Sequence, residues 1–441
     1  MSRMQTGLTG RTIATTWWPL ALSWLFMALE LPVVSAGLAR LPDPEVQLAA
    51  YGGVVMALLL LVESPIIMLL AASTALSRDG ASYLSLRGFM HRLSAGLTLL
   101  QLVLATTPLY DFVVTRLIAV PEAVVEPARI GLLIALPWAW TIAYRRFNQG
   151  ILIRHGASRA VGVGTLLRLT ANVVVLGAGL GLYRVAPHLT PSGVALGTSA
   201  VLAGVVAEAA FVRWRVTPIL QQNFDLDSPS GEGIALGELL RFYVPLALTS
   251  LLALIMQPIG SAAVSRMPLP LPSLAAWPIV IGVVFLLRSP GTAYKEVVVA
   301  LLDRPDPEPA LRRFTLWLVL ISLGLSLLAF TPLANFLLVH LSGLTPELAT
   351  LAGNGLKIAV LLPAVGVLQN RYVGVLVHRR RTRPITESMV AFLSISIAGL
   401  IVGVRWGEVP GVYVAYAAFT AGHLAQLYWV RRAAHRTAAA P

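Results

Sequence analysis

Apolar runs, most of them about twenty residues or longer, follow one another along the whole chain with only short polar turns between them. A helical run of that length crosses a hydrocarbon core of about 30 Å. The pattern predicts helices at 17–39, 48–76, 93–119, 128–153, 160–185 and 192–212, then at 241–265, 274–302, 314–341, 347–377, 385–404 and 410–430. Strands do not fit, because a membrane barrel reads as short alternating segments and not as long apolar runs. The expected fold class is an all-α polytopic membrane protein with twelve transmembrane helices. Composition supports this: 57% of the residues are hydrophobic and 12% are charged, against about a quarter charged in soluble domains. There is no cysteine, which removes disulfides, thiol chemistry and Fe–S ligation.

The pattern repeats. Pro19–Tyr51 and Pro245–Trp277 align without a gap at 14 identities in 33 positions, including Pro32/Pro258 and Arg40/Arg266. Thr107-Pro108-Leu109 then matches Thr331-Pro332-Leu333, and Gly150-Ile151-Leu152 matches Gly374-Val375-Leu376. The chain therefore reads as two copies of one six-helix unit: an N-terminal lobe over 1–212, a linker over 213–240 and a C-terminal lobe over 241–441. Because the first apolar run returns at 244–264, it is a span of the repeat and not a cleaved signal peptide. The linker contains Asp225–Gly233, DLDSPSGEG, with the composition of a flexible surface connection.

The net charge of +13 does not point to nucleic acid, because the basic residues cluster in short connections between spans. One set of connections plus both termini carries 19 arginines and the other set carries 6, which places the first set and both termini in the cytoplasm. An even number of spans per half makes the repeat parallel, with its pseudo-twofold along the membrane normal. Such two-lobed membrane chains hold their substrate site between the lobes.

Ionisable residues within spans are costly and mark function by default. Glu30 lies two residues before Pro32, which kinks the first helix. It reads either as a proton or sodium switch or as an ion-pair partner that holds the bundle. Glu63-Ser64-Pro65 and Arg288-Ser289-Pro290 occupy corresponding places, so Glu63 and Arg288 read as a gate or a tether between the copies. Lys295 and Glu296 are adjacent and point about 100° apart, so at least one should face a central cavity. Helix four carries Arg145, Arg146 and Asn148 before Gly150, and helix ten carries Asn370 and Arg371 before Gly374. Arginine forks suit phosphate or carboxylate. With Lys295, these five residues read as a binding set for an anion, and the bland alternative is arginines snorkelling at the cytoplasmic ends. Arg168, Arg241 and Glu208 read as snorkelling residues near those ends.

His91, His155 and His378 lack metal-ligand spacing, and no cofactor is implied. No P-loop, nucleophile elbow or paired catalytic constellation is present. The reading is not an enzyme, and an ion gradient is the energy source.

Two tandem six-helix lobes, a cytoplasmic linker and an acid-plus-proline first helix resemble the MATE-like multidrug/oligosaccharide-lipid/polysaccharide (MOP) exporter superfamily. Ala139-Trp140-Thr141, Gly150-Ile151-Leu152-Ile153-Arg154-His155, and Pro290 followed by Glu296 are similar to the progressive ankylosis (ANKH-like) branch. The resemblance implies a secondary active transporter, monomeric, in the cytoplasmic membrane. It implies alternating access, with export or flipping of a small anionic or amphipathic substrate and coupling to H+ or Na+. The alternatives are MATE-type cation efflux and a lipid-linked saccharide flippase. Glu30 departs from the aspartate common in proton-coupled MATE proteins, and the arginine-rich helices four and ten suit a cationic cargo poorly.

Overall fold

The computed structural model describes residues 8–224, 233–379 and 381–438, and these are mostly helical, with no strand among them. The helices are α1 Gly10–Leu38, α2 Pro44–Leu76, α3 Gly80–Thr106, α4 in two arms Glu122–Ile134 and Trp138–Arg154, α5 Arg159–Val185 and α6 Gly193–Asn223. They continue as α7 Leu236–Val264, α8 Pro270–Leu301, α9 Pro307–Phe330, α10 in two arms Pro346–Ile358 and Leu362–His378, α11 Arg383–Trp406 and α12 Gly411–Ala438. Ten of these are long and apolar enough to span, and the two arms of α4, bent by 45°, make an eleventh. The remaining helix, α12, carries Thr420, His423 and Gln426 in its middle, which dilutes its apolar character.

Each helix predicted from the pattern is present, and several boundaries move. The third helix starts at Gly80 and not at 93, because the Asp79 side chain accepts from the Ser82 amide and Ser82 reciprocates in a capping box. Arg87 and Arg92, expected in a connection, therefore lie inside α3. The sixth helix runs past the expected 212 to Asn223, so the first part of the expected linker is helical. Most of the DLDSPSGEG segment, 225–232, lies outside the described residues.

Close helix contacts recur at repeat-related positions. A Cβ on Gly150 would stand 2.5 Å from the Leu70 carbonyl oxygen, and one on Gly374 would stand 3.0 Å from the Lys295 carbonyl oxygen. Gly204 abuts the Arg168 carbonyl at 2.7 Å, and Gly422 abuts the Phe392 carbonyl at 2.9 Å. Gly131 faces Val55 and Val194, while Gly355 faces Val280 and Val412. The numbering offset is 226 from α1/α7 to Tyr51/Trp277 in α2/α8, then 225 or 224 through α5/α11 and 218 in α6/α12, so the first copy is six residues longer around its α5–α6 turn. The same backbone-to-backbone packing is thus built twice.

The chain forms two compact units, Val33–Ser265 and Met1–Pro32 with Arg266–Pro441. They differ from the lobes expected at 1–212 and 241–441, because α1 up to Pro32 groups with helices of the second copy and α7 with helices of the first, while the end of α1 stays with its own copy. In one unit the Trp17 indole N–H donates to the Pro290 carbonyl at 2.9 Å, and Trp17 meets Phe314 edge-on at 5.6 Å. In the other, the Tyr243 hydroxyl donates to the Pro65 carbonyl, and Tyr243 meets Phe89 edge-on at 4.9 Å. These partners correspond residue by residue in the repeat. The prolines themselves are accommodated alike. Each strips the N–H partner from the carbonyl four residues back. Ser64 supplies a hydroxyl to Leu61 O at 2.7 Å and Ser289 to Leu286 O at 2.8 Å.

Candidate functional site

In the Val33–Ser265 unit the ionisable residues converge on Glu208. It lies fifteen residues from each end of α6, at the helix midpoint, and is fully buried. Arg145 Nη1 on α4 approaches Glu208 Oε2 at 2.6 Å, and Gln149 Nε2, one turn further along α4, donates to Glu208 Oε1 at 2.9 Å. Arg168 Nη1 on α5 stands 4.0 Å from Oε2. The Gly204–Arg168 contact sets this geometry: with no side chain at 204, α5 closes on α6 and carries Arg168 to the carboxylate one turn away. Arg146, next to Arg145, lies in the electrostatic field of Glu63 and Glu208. Three guanidiniums thus share two carboxylates. The Nε atoms of Arg145 and Arg146 and the Oε1 of Gln149 are buried without a hydrogen-bond partner among the described residues. A buried donor left unmade is expensive, and both free guanidinium N–H groups call for an acceptor.

The second unit builds the same contact without the ion pair. Gln369 stands where Arg145 stands, Gln426 stands where Glu208 stands, and Gln369 Nε2 donates to Gln426 Oε1 at 3.2 Å. Gln369 Nε2 also reaches the His423 carbonyl at 2.7 Å. The His423 ring is 3.0 Å from Arg288 Nη1 through Nε2 and packs on Phe392. Arg288 enters this space beside Gly366, where a Cβ would come within 3.0 Å of its Nε.

The other expected site residues are distributed as follows. Glu63 on α2 is 8% exposed. Glu30 is half-buried on α1, a half-turn before Pro32, whose ring packs on Gly282 of α8. Lys295 is half-buried and Glu296 is exposed. Asn148 and Asn370 donate to the Tyr144 and Gly366 carbonyls of their own helices at 2.8 and 2.9 Å. Arg371 is not grouped with Arg145 and Arg146. It pairs with Glu308 in the first turn of α9, where the carboxylate is 63% exposed. The reason is that Gln369, not Arg371, takes the position of Arg145. Exposed pairs contribute at most about 1 kcal/mol. Arg371→Gln is therefore expected to leave thermal stability within that range, measured by unfolding in detergent.

Glu208 is the residue whose place differs most from expectation. The sequence reading sets it near a helix end as a snorkelling acid, because it ends the sixth helix at 212. The true end at Asn223 puts Glu208 mid-span. The signal that could have found it is the rule that selects Glu30 and Glu63: a lone acid in an apolar run. His423 and Gln426 escape the sequence reading because a search for charged residues within spans passes over uncharged polar ones. No group of three His, Asp or Glu suited to a metal ion occurs among the described residues.

No protein-family model matches the chain, and no curated protein sequence matches it. Solved structures do. A MATE family multidrug resistance transporter of the MOP superfamily, in its inward-facing conformation, superposes with a TM-score of 0.67 at 16% identity, covering 98% of this chain and 100% of that one. A eukaryotic MATE transporter gives 0.64 at 13% identity, with 96% of each chain covered. A MOP superfamily transporter from Pyrococcus furiosus, described as having a binding pocket of reverse polarity, gives 0.63 at 14% identity and 96% of each chain. These likenesses establish the fold end to end: it is that of the MATE and MOP transporters.

Proposed function

We propose that this chain is a secondary active transporter working by alternating access, and that it exports or flips a small anionic or amphipathic substrate across the cytoplasmic membrane. Both termini lie in the cytoplasm on this reading, as the arginine asymmetry requires. The observation that carries the anionic preference is the surplus of guanidinium over carboxylate around Glu208, with the Arg145 and Arg146 Nε–H groups unmatched. Such donors, held in an apolar surrounding, select phosphate or carboxylate. The Pyrococcus furiosus protein, whose pocket of reverse polarity is described as suggesting a different function, supports a reading other than cation efflux for a chain of this fold. Glu63 and Glu30 are the acids available for coupling to H+ or Na+.

The test is uptake into sealed proteoliposomes with a panel of carboxylates, phosphates and lipophilic cations, each with and without a pH or sodium gradient. Arg146 has no ion-pair contact within hydrogen-bond range among the described residues. Its replacement by glutamine should cut anion transport at least about tenfold, equivalent to about 1.4 kcal/mol, while the unfolding temperature stays near wild type. Unchanged anion transport by Arg146→Gln would overturn the assignment.

A second reading, MATE-type cation efflux, is supported by the fold and by the largely buried Glu63 carboxylate. Export of lipophilic cations that is lost in Glu63→Gln, with no anion transport by wild type, would establish it in place of the first. A lipid-linked saccharide flippase is the third option for the same fold. The ankylosis branch rests on the short motifs in α4 and α8, and the structural likenesses to MATE and MOP transporters do not support it.

A further inference from the structure

The first arm of α10, Pro346–Ile358, presents an uncommon outer face. Glu347, Thr350 and Lys357 are exposed and Asn354 is half-buried, at the three- and four-residue spacing of one helical stripe. In the first copy the equivalent face of Glu122–Ile134 is apolar at the same depth: Ile130 and Leu133 stand where Asn354 and Lys357 stand, 43% and 36% exposed. Ile130 and Leu133 suit a lipid-facing wall. An ammonium does not. Lys357 is about 16 Å along the helix from Pro346 at 1.5 Å per residue, inside a 33-residue helix long and apolar enough to span. It does not snorkel to the rim either, because its Nζ is held one turn away by Asn354 Oδ1 at 3.1 Å. No acid pairs with it among the described residues.

The hydrogen-bond polarity of the cluster follows from the lysine. An ammonium only donates, so the oxygen of Asn354 must face it and the amide nitrogen must face away. That nitrogen donates to the Tyr413 hydroxyl of α12 at 3.1 Å. The hydroxyl is then an acceptor to Asn354, and its own proton is free to donate elsewhere. Two N–H bonds of Lys357 and one O–H bond of the half-buried Tyr413 are thus left as donors on this face.

We propose that Lys357 and Tyr413, bridged by Asn354, form a binding site for an anionic group, a carboxylate or a phosphate, that is separate from the Glu208 cluster. This deepens the transport reading by naming residues that hold the substrate's charge, and it rests on that reading for its role in transport. As a binding site it is tested without any transport measurement.

The chain contains no cysteine, so single-cysteine variants report one position each. Lys357→Cys in proteoliposomes should react with a membrane-impermeant charged methanethiosulfonate, and Leu133→Cys should not. In detergent, wild type should bind inorganic phosphate or succinate. Lys357→Gln should weaken that binding at least tenfold and Tyr413→Phe about threefold, while Lys357→Arg should stay within about threefold of wild type. A parallel arm uses nanodiscs with and without phosphatidylglycerol. Slower reaction of Lys357→Arg/Thr350→Cys with phosphate or succinate present assigns the site to a soluble anion. Slowing by phosphatidylglycerol alone assigns it to a lipid phosphate. No reaction of Lys357→Cys, or binding of phosphate and succinate unchanged in Lys357→Gln together with no effect of phosphatidylglycerol, overturns the site. Wild type that transports only cations, with labelling and anion binding as expected, would refute the anion-transport reading and leave the site standing.

Discussion

Replacing Glu208 with glutamine should destabilise the protein by about 3–5 kcal/mol, the loss that follows when one member of a buried ion pair is removed. The carboxylate is fully buried, with Arg145 at 2.6 Å and Gln149 at 2.9 Å. Its neutralisation strands a guanidinium that is itself 4% exposed. The second unit supplies the control. There the same two positions are Gln369 and Gln426, bonded to each other, so the fold tolerates a neutral pair at this helix contact. The double variant Arg145→Gln/Glu208→Gln copies that pair and should recover most of the lost stability, because replacing both partners avoids an uncompensated charge. Thermal unfolding of the purified single and double variants in one detergent measures both. A double variant as unstable as Glu208→Gln alone would show that Arg168 or Arg146, not Arg145, carries the charge balance. Anion transport by the double variant should fall even as stability returns, which separates the structural share of the pair from its functional share.

The second large effect is expected at Gly150. A Cβ there would lie 1.9 Å from Ser73 Oγ, 2.5 Å from Leu70 O and 3.0 Å from Thr74 N. The serine could rotate, but the two backbone atoms can move only if α2 and α4 separate. Overpacking of a dense interior typically costs about 1–3 kcal/mol. Gly150→Ala should reach the upper end of that range, and Gly150→Leu should abolish accumulation of folded protein. On α5, an added methyl at Gly177 or Gly181 would meet nothing within 4 Å among the described residues. Alanine at either should be neutral or stabilising by up to about 1 kcal/mol through helix propensity. Fluorescence-detected gel filtration and unfolding temperatures across the four variants test the contrast.

The element order is legible in the sequence because hydrophobic run length and bilayer thickness impose it, and all twelve helices follow from that one constraint. The repeat is legible in α1 and α7, where 14 of 33 residues coincide. It fades beyond α5, where the offset drops to 218 and ungapped matching fails. Without that shift, the correspondence of Glu208 with Gln426 cannot be seen. Helix ends are the least legible part, since polar residues such as Arg213 and Arg215 continue α6 on the exposed side without breaking it. That continuation alone separates a central carboxylate from a peripheral one. Arg371 shows a different limit. Composition places Arg and Asn before a glycine in both copies, but a shift of two residues on a helix turns a side chain by about 200°, enough to send Arg371 to Glu308 and bring Gln369 inward.

The exchange of first helices, marked by the Trp17–Pro290 and Tyr243–Pro65 contacts, bears on how the protein is made. When α1 leaves the ribosome, the proline carbonyl that its tryptophan will cap has yet to be synthesised, and it emerges only with α8. Residues 10–32 must wait in the bilayer through the insertion of six further spans. The early product of translation is a five-helix group, α2 to α6, whose α2 proline site is filled by α7 and not by the helix that precedes it. A half-length chain ending after α6 would seat the end of α1, where Val34 and Leu38 meet Gly197, but leave residues 10–32 unmatched and the seat of the seventh helix open. The two copies of the repeat are therefore not laid end to end as separate units: each takes part of its packing from the other's leading segment, residues 10–32 in one case and α7 in the other.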